Sequence, residues 1–128
     1  MAKLLHTKRD AVLAIDDETD FLRFLKAALE SQGLTVHTAS NPAEGIQLFE
    51  ERLDEIGLVL LDYYMPEMSG ELAFEYLHRL NPNVPVLLLT GYDREVADPL
   101  FEKGLRDYIQ KPFCVVDLGE RVRKAIAA

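Results

Sequence analysis

Five polar residues stand directly after short strand-like runs. Asp16 and Asp17 follow Ala11–Ile15, Asp62 follows Leu58–Leu61, Thr90 follows Val84–Leu89, and Lys111 follows Asp107–Gln110. Brought together, three carboxylates repel one another and need a counter-charge. A divalent cation with oxygen ligands supplies it, and magnesium suits few carboxylates, several waters and a phosphate oxygen. Lys111 adds a point positive charge, and the Thr90 hydroxyl adds a hydrogen-bond donor. Such a set can hold and transfer a phosphoryl group, with an aspartate as nucleophile that becomes an acyl phosphate. A turn aspartate on its own is more often a loop cap. The case for Asp62 therefore rests on its companions.

For these residues to meet, the chain must deliver several strand ends to one edge. Leu22, Leu25, Ala28 and Leu29 recur at helical spacing after Asp16-Asp17, and Gly33 suits the residue just past that helix. Leu34–Ala39 reads as an edge strand. Asn41-Pro42-Ala43-Glu44 is a helix start, with Asn41 as N-cap, Pro42 at N1 and Glu44 at N3. Ile46, Leu48, Phe49 and Leu53 give that helix its apolar face. The run Leu58–Leu61, bounded by Gly57 and a turn, fits a strand buried on both faces. Leu72, Ala73, Tyr76, Leu77 and Leu80 mark a third helix, stopped at Asn81-Pro82. Val84–Leu89 is another apolar strand, and a weaker helix stops at Gly104. Asp107–Gln110 is a last short strand, and Val115, Leu118, Val122 and Ile126 stripe the final helix.

Five βα units imply a doubly wound five-stranded parallel sheet with helices on both faces. The expected strand order is 2-1-3-4-5, with the site at the switch point between strands 1 and 3. All the polar strand ends named above would then share one edge.

Composition narrows the function classes. A chain of 128 residues with 48% hydrophobic content forms one domain, residues 1–128, with 1–9 as a loose lead-in. Net charge is −8, which argues against direct nucleic-acid binding and against an anionic membrane as partner. Lys8 and Arg9 read as part of a solvated terminus. The single cysteine, Cys114, has no disulfide partner within the chain and reads as a small core residue. No apolar run reaches membrane-spanning length and no signal-peptide core is visible, so the expected compartment is the cytoplasm.

The chain resembles the receiver domain of two-component response regulators, the CheY-like family. The resemblance is carried by Asp16-Asp17, by Asp62 with Met65-Pro66 and Gly70, by Thr90-Gly91, and by Lys111-Pro112-Phe113. It covers residues of about 11 to 127. It implies a flavodoxin-like, three-layer α/β/α fold and a phosphorylation-dependent switch charged by a sensor histidine kinase or phosphotransfer protein. The output would go to a downstream effector protein or domain. Asp62 would be the phosphoacceptor. Mg2+ would be held by Asp17, by Asp62 and by the backbone carbonyl of Tyr64, with Asp16 acting through a water. Thr90 and Lys111 would contact the phosphoryl oxygens. Thr90 and Tyr108 would form the switch that remodels the surface of the fourth helix and fifth strand. The Lys111-Pro112 bond is at a place usually cis in the family. Tyr64 and Tyr92, two residues after the phosphoacceptor and the threonine, would flank the path of the hydrolytic water and govern the lifetime of the phosphoryl group.

Some features stand apart from the resemblance. His6, His37 and His78 match no family position and are read as solvated or packing residues. Pro99 stands where the fourth helix should run, so a short helix is expected, with Asp98 as N-cap, Pro99 at N1 and an irregular stretch from Tyr92 to Ala97. This puts the output face, but not the acid cluster, in question. Two competing functions are a structural interaction module without phosphorylation, and a phosphatase with an aspartate nucleophile. The latter needs a second aspartate two residues on, where Tyr64 stands. Apart from phosphoryl transfer to and from itself, the domain is expected to be no enzyme.

Overall fold

The computed structural model describes residues 9–128. His6, Lys8 and the lead-in before Arg9 lie outside the described residues. The strands are β1 (Ala11–Ile15), β2 (Val36–Ala39), β3 (Ile56–Leu61), β4 (Val86–Thr90) and β5 (Asp107–Gln110). They form one parallel sheet in the order β2-β1-β3-β4-β5, as expected. The helices are α1 (Thr19–Glu30), α2 (Pro42–Glu51), α3 (Gly70–Leu80), α4 (Asp98–Glu102) and α5 (Val115–Ala127), with a 3-10 turn at Arg94–Val96. No helix among the described residues is long and apolar enough to cross a membrane.

The two-residue alternation of the strands divides the core between the two faces. Leu13 and Ile15 of β1, with Val59 and Leu61 of β3, pack towards Phe49, Phe74, Leu77 and Leu100. Val12, Ala14, Leu58 and Leu60 point the other way, towards Leu22, Leu25, Leu29, Leu118 and Val122. Helices α1 and α5 therefore cover one face, and α2, α3 and α4 the other.

The start of α2 and the ends of α1 and α4 follow their sequence signals. The Asn41 side chain accepts from the Glu44 N–H at 2.8 Å, and the Glu44 carboxylate accepts from the Ser40 N–H at 2.9 Å. Gly33, at φ 93, closes α1: the amides of Gly33 and Leu34 donate to the carbonyls of Glu30 and Leu29. Gly104, at φ 111, closes α4 in the same way.

Several expectations are corrected. Gly57 lies inside β3 instead of bounding it. Ala11 pairs with Ile56 and Val12 with Leu58, so Gly57 is an extra residue in the ladder. A Cβ there would come within 1.6 Å of the Arg9 carbonyl oxygen, which explains the glycine. The buried stripe of α3 is Ala73, Phe74 and Leu77, while Leu72 and Tyr76 are exposed. Cys114 is exposed at the N-cap of α5 instead of buried, because it lies in the turn before the helix. Helix α4 is short, as Pro99 requires. Its N-cap, however, is Ala97, and Asp98 is the first helical residue, reaching back to Arg94 at 3.9 Å. The stretch before it is partly regular, as the 3-10 turn.

The other two histidines take structural roles. His37 pairs with Glu55 at 2.9 Å. His78 stacks on Phe74, with ring centroids 4.2 Å apart, and its Nε2 donates to the Val84 carbonyl at 3.3 Å.

Candidate functional site

The C-terminal ends of β1, β3, β4 and β5 meet at one edge of the sheet. Carboxylate oxygens of Asp16, Asp17 and Asp62 all lie within 4.8 Å of one another. Asp16 is 3% exposed and Asp62 9%, while Asp17 faces solvent. Each buried acid is oriented by local backbone. The Glu18 N–H donates to Asp16 Oδ1 at 3.0 Å, and the Tyr63 N–H donates to Asp62 Oδ1 at 2.8 Å.

Lys111 Nζ donates to Asp16 Oδ2 at 2.7 Å and lies 3.5 Å from Glu18 Oε1. It also sits 4.0 Å from the centre of the Phe21 ring, a cation–π contact. The Lys111-Pro112 peptide is cis. Thr90, fully buried at the end of β4, accepts from the Tyr92 N–H at 3.3 Å. Its hydroxyl lies near enough to Asp62 to favour the carboxylate form.

Burial dominates the electrostatics. It pushes the Asp62 carboxyl up to about 6, with the neighbouring Asp16 charge adding to the rise and Lys111, Thr90 and the Tyr63 amide opposing it. Burial also raises Asp16 above the ordinary carboxylate value, against the pull of Lys111. Burial works against the Lys111 ammonium, but the hydrogen bond to Asp16 and the surrounding acids outweigh it and raise its pKa. Hard oxygen donors in excess of the one lysine make a donor set that fits a small divalent cation.

The remaining expected residues line the rim. Tyr64 is 62% exposed and Tyr92 47%. Their ring centroids are 6.0 Å apart, and Tyr63 lies 6.1 Å from Tyr92. The Tyr108 hydroxyl donates to the Tyr92 carbonyl. All the side chains expected at the site thus gather at this edge or on the loops leaving it.

Glu18, Phe21, Tyr63 and Gln110 also contact residues at this edge or on its loops, and their residue types alone do not single them out. The only signal for them was adjacency: each lies within a few residues of a site residue. Gly70 packs on the loop after Asp62. A Cβ on it would meet Tyr63 Cα at 2.6 Å and the Asp62 carbonyl oxygen at 2.8 Å.

Comparison with known proteins gives one answer. Residues 12–123 match the family described as response regulator receiver domain. The regulatory protein AtoC of Escherichia coli (strain K12) is 33% identical over 121 residues, which span 94% of this chain and 26% of that protein. The probable transcriptional regulator ycf27 of Porphyra purpurea is 34% identical over 124 residues, 95% of this chain and 49% of that protein. The chain therefore spans about a quarter to a half of the length of these curated relatives. Among solved structures, a response regulator receiver domain protein from Clostridium thermocellum superposes with TM-score 0.87 at 33% identity, covering 91% of this chain and 94% of that one. The response regulator protein TrrA of Thermotoga maritima, solved in complex with Mg(2+)-BeF, gives TM-score 0.81 at 28% identity, covering 91% and 98%.

Proposed function

Because the chain belongs to the response regulator receiver domain family, whose members are phosphorylation-dependent switches of two-component systems, we propose that Asp62 is its phosphoacceptor. The observation that carries this is the meeting of Asp16, Asp17 and Asp62 within 4.8 Å at a sheet edge shared with Thr90 and Lys111. Asp62 is the member that combines burial, an orienting amide and the Thr90 hydroxyl. Its carboxylate oxygen attacks phosphorus, the bond from phosphorus to the donor nitrogen breaks, and an acyl phosphate forms. The donor is a sensor histidine kinase or a phosphotransfer protein.

Asp17 and Asp62 would hold Mg2+, with the Tyr64 carbonyl as a third protein ligand and Asp16 through a water. When bound, the ion neutralises charge shared between the carboxylates and the phosphoryl oxygens. Lys111 is held ready by Asp16, to turn to a phosphoryl oxygen. Thr90 offers its hydroxyl as a further donor. A shift of Thr90 towards the phosphoryl group, followed by Tyr108, biases a two-state equilibrium and remodels the α4–β5 surface. The reader of that surface is a protein effector or a fused effector domain, not nucleic acid directly, and the compartment is the cytoplasm. The described residues act as a single receiver domain whose only catalysis is its own phosphorylation and dephosphorylation.

The test is incubation with magnesium and acetyl phosphate, followed by intact mass. A single phosphoryl adduct is expected, absent from Asp62→Asn. No adduct on the wild type would leave a structural module, and multiple turnover of phosphorylated substrates would point to a phosphatase.

A further inference from the structure

We propose that Gln110 is a positioning residue that clamps the Tyr92 loop beside the phosphoryl site and so sets the lifetime of the phosphorylated form. The inference rests on Asp62 being the phosphoacceptor. Gln110 ends β5 and immediately precedes Lys111. Its Nε2 donates to the Gly91 carbonyl at 3.4 Å and to Asp93 Oδ1 at 3.2 Å. Both acceptors lie on the loop that leaves β4 after Thr90, one on each side of Tyr92.

The same strand grips that loop again. Tyr108, two residues before Gln110 and so on the same face of β5, donates to the Tyr92 carbonyl itself. The Lys111 N–H donates to the Thr90 carbonyl at 2.8 Å. The backbone from Thr90 to Asp93 is thus fastened to the segment that carries the site lysine. The ring this fixes in place is Tyr92, which stands against Tyr63 and Tyr64 next to Asp62.

Asp93 shows that the clamp outcompetes a local alternative. It occupies the N-cap of the 3-10 turn Arg94–Val96, where a carboxylate ordinarily accepts from an amide of the first turn. It makes no such bond. Its oxygen accepts from Gln110 instead, tying loop to strand. A polar residue at a strand end is usually just solvated, but solvation alone does not account for a diverted cap.

The experiment measures decay of phosphorylated protein after removal of acetyl phosphate, by intact mass. Loss of one such tie is expected to speed decay by roughly five-fold in Gln110→Ala. Gln110→Glu, which cannot donate and repels Asp93, should decay as fast. Asp93→Asn keeps the acceptor oxygen and should stay close to wild type. In a Tyr92→Ala background, Gln110→Ala should add nothing, since the clamp acts through that ring. Amide hydrogen exchange at Gly91–Asp93 should rise in Gln110→Ala before any phosphorylation. Unchanged decay in Gln110→Ala, or equal acceleration with and without Tyr92, overturns the proposal even where exchange rises. Absence of an adduct on every variant, wild type included, would instead sink the Asp62 reading and the lifetime role together.

Discussion

Lys111 reaches from the end of β5 to Asp16, 95 residues away in sequence, and its Nζ donates to Asp16 Oδ2 at 2.7 Å. The pair is largely shielded, with side chains 19% and 4% exposed. Removing one partner of a buried pair leaves the other charge uncompensated. Lys111→Ala should therefore cost stability, about 1–3 kcal/mol, less than for a fully buried pair because the ammonium still meets water. Urea unfolding in the presence of chelator measures this. The mutant should still accept a phosphoryl group on Asp62 yet fail to transmit it. Amide NMR shifts around Tyr108 should stay where they are on phosphorylation, and a wild-type shift pattern would refute the coupling role.

Asp17 is the exposed member of the acid cluster, so it can be changed with little effect on packing. Asp17→Ala removes a hard oxygen donor and a negative charge from the set. Magnesium binding, followed by NMR titration, should disappear while the unfolding midpoint in chelator stays within experimental error. Retained binding of unchanged strength would show that the cation sits elsewhere.

The raised pKa of Asp62 has a stability consequence with a definite sign. Its carboxyl moves from an ordinary value of 3.8 to about 6 on folding, chiefly through burial. Between those values the folded state binds more protons than the unfolded state, so stability falls as pH rises from about 4 towards 6 and then levels. A shift of that size corresponds to about 3 kcal/mol as an upper bound. Asp62→Asn removes the cost, and in metal-free protein it should be the more stable form at pH 7 by up to that amount. The difference should shrink as pH falls and vanish only clearly below the ordinary value of 3.8. A mutant no more stable than wild type at pH 7 would mean that Asp62 ionises without penalty.

The sheet order and the acid edge could be read from the chain because each polar site residue interrupts a run that otherwise has to be buried. Asp62 after Leu58–Leu61 and Thr90 after Val84–Leu89 are visible for that reason. What escaped depends on reach across the fold. Phe21 under Lys111 and Gln110 on Asp93 are contacts between elements, and beyond nearness in sequence to site residues nothing marks them. Cysteine is usually buried, but the place of Cys114 in the turn before α5 exposes it. Asp98 looked like a cap before Pro99, but α4 begins one residue earlier in register and buries Ala97 at the cap position.

Gly57 offers a test of the fold itself. It is the extra residue of the β1–β3 ladder, and the backbone of Arg9 crosses where its side chain would be. Gly57→Ala must push that backbone away from the sheet, at a cost of roughly 1–3 kcal/mol. The loss should appear in urea unfolding, with magnesium binding at the far edge preserved in the folded fraction. A neutral substitution would show that the Arg9 segment moves aside freely.

The last prediction concerns the rings at the rim. Hydrolysis of the acyl phosphate needs a water in line with the phosphorus–oxygen bond. Tyr64 and Tyr92 stand 6.0 Å apart and Tyr63 lies 6.1 Å from Tyr92, so aromatic surface gathers on the loops that leave Asp62 and Thr90. Neither ring offers a carboxylate or an amide to orient a water. The double mutant Tyr64→Asn, Tyr92→Glu opens the approach and supplies both groups, and its phosphorylated form should decay several-fold faster than wild type after donor removal. A tyrosine hydroxyl that itself holds the water predicts the reverse. Equal or slower decay in the double mutant would decide for that alternative and would remove the shield on which the role of Gln110 depends.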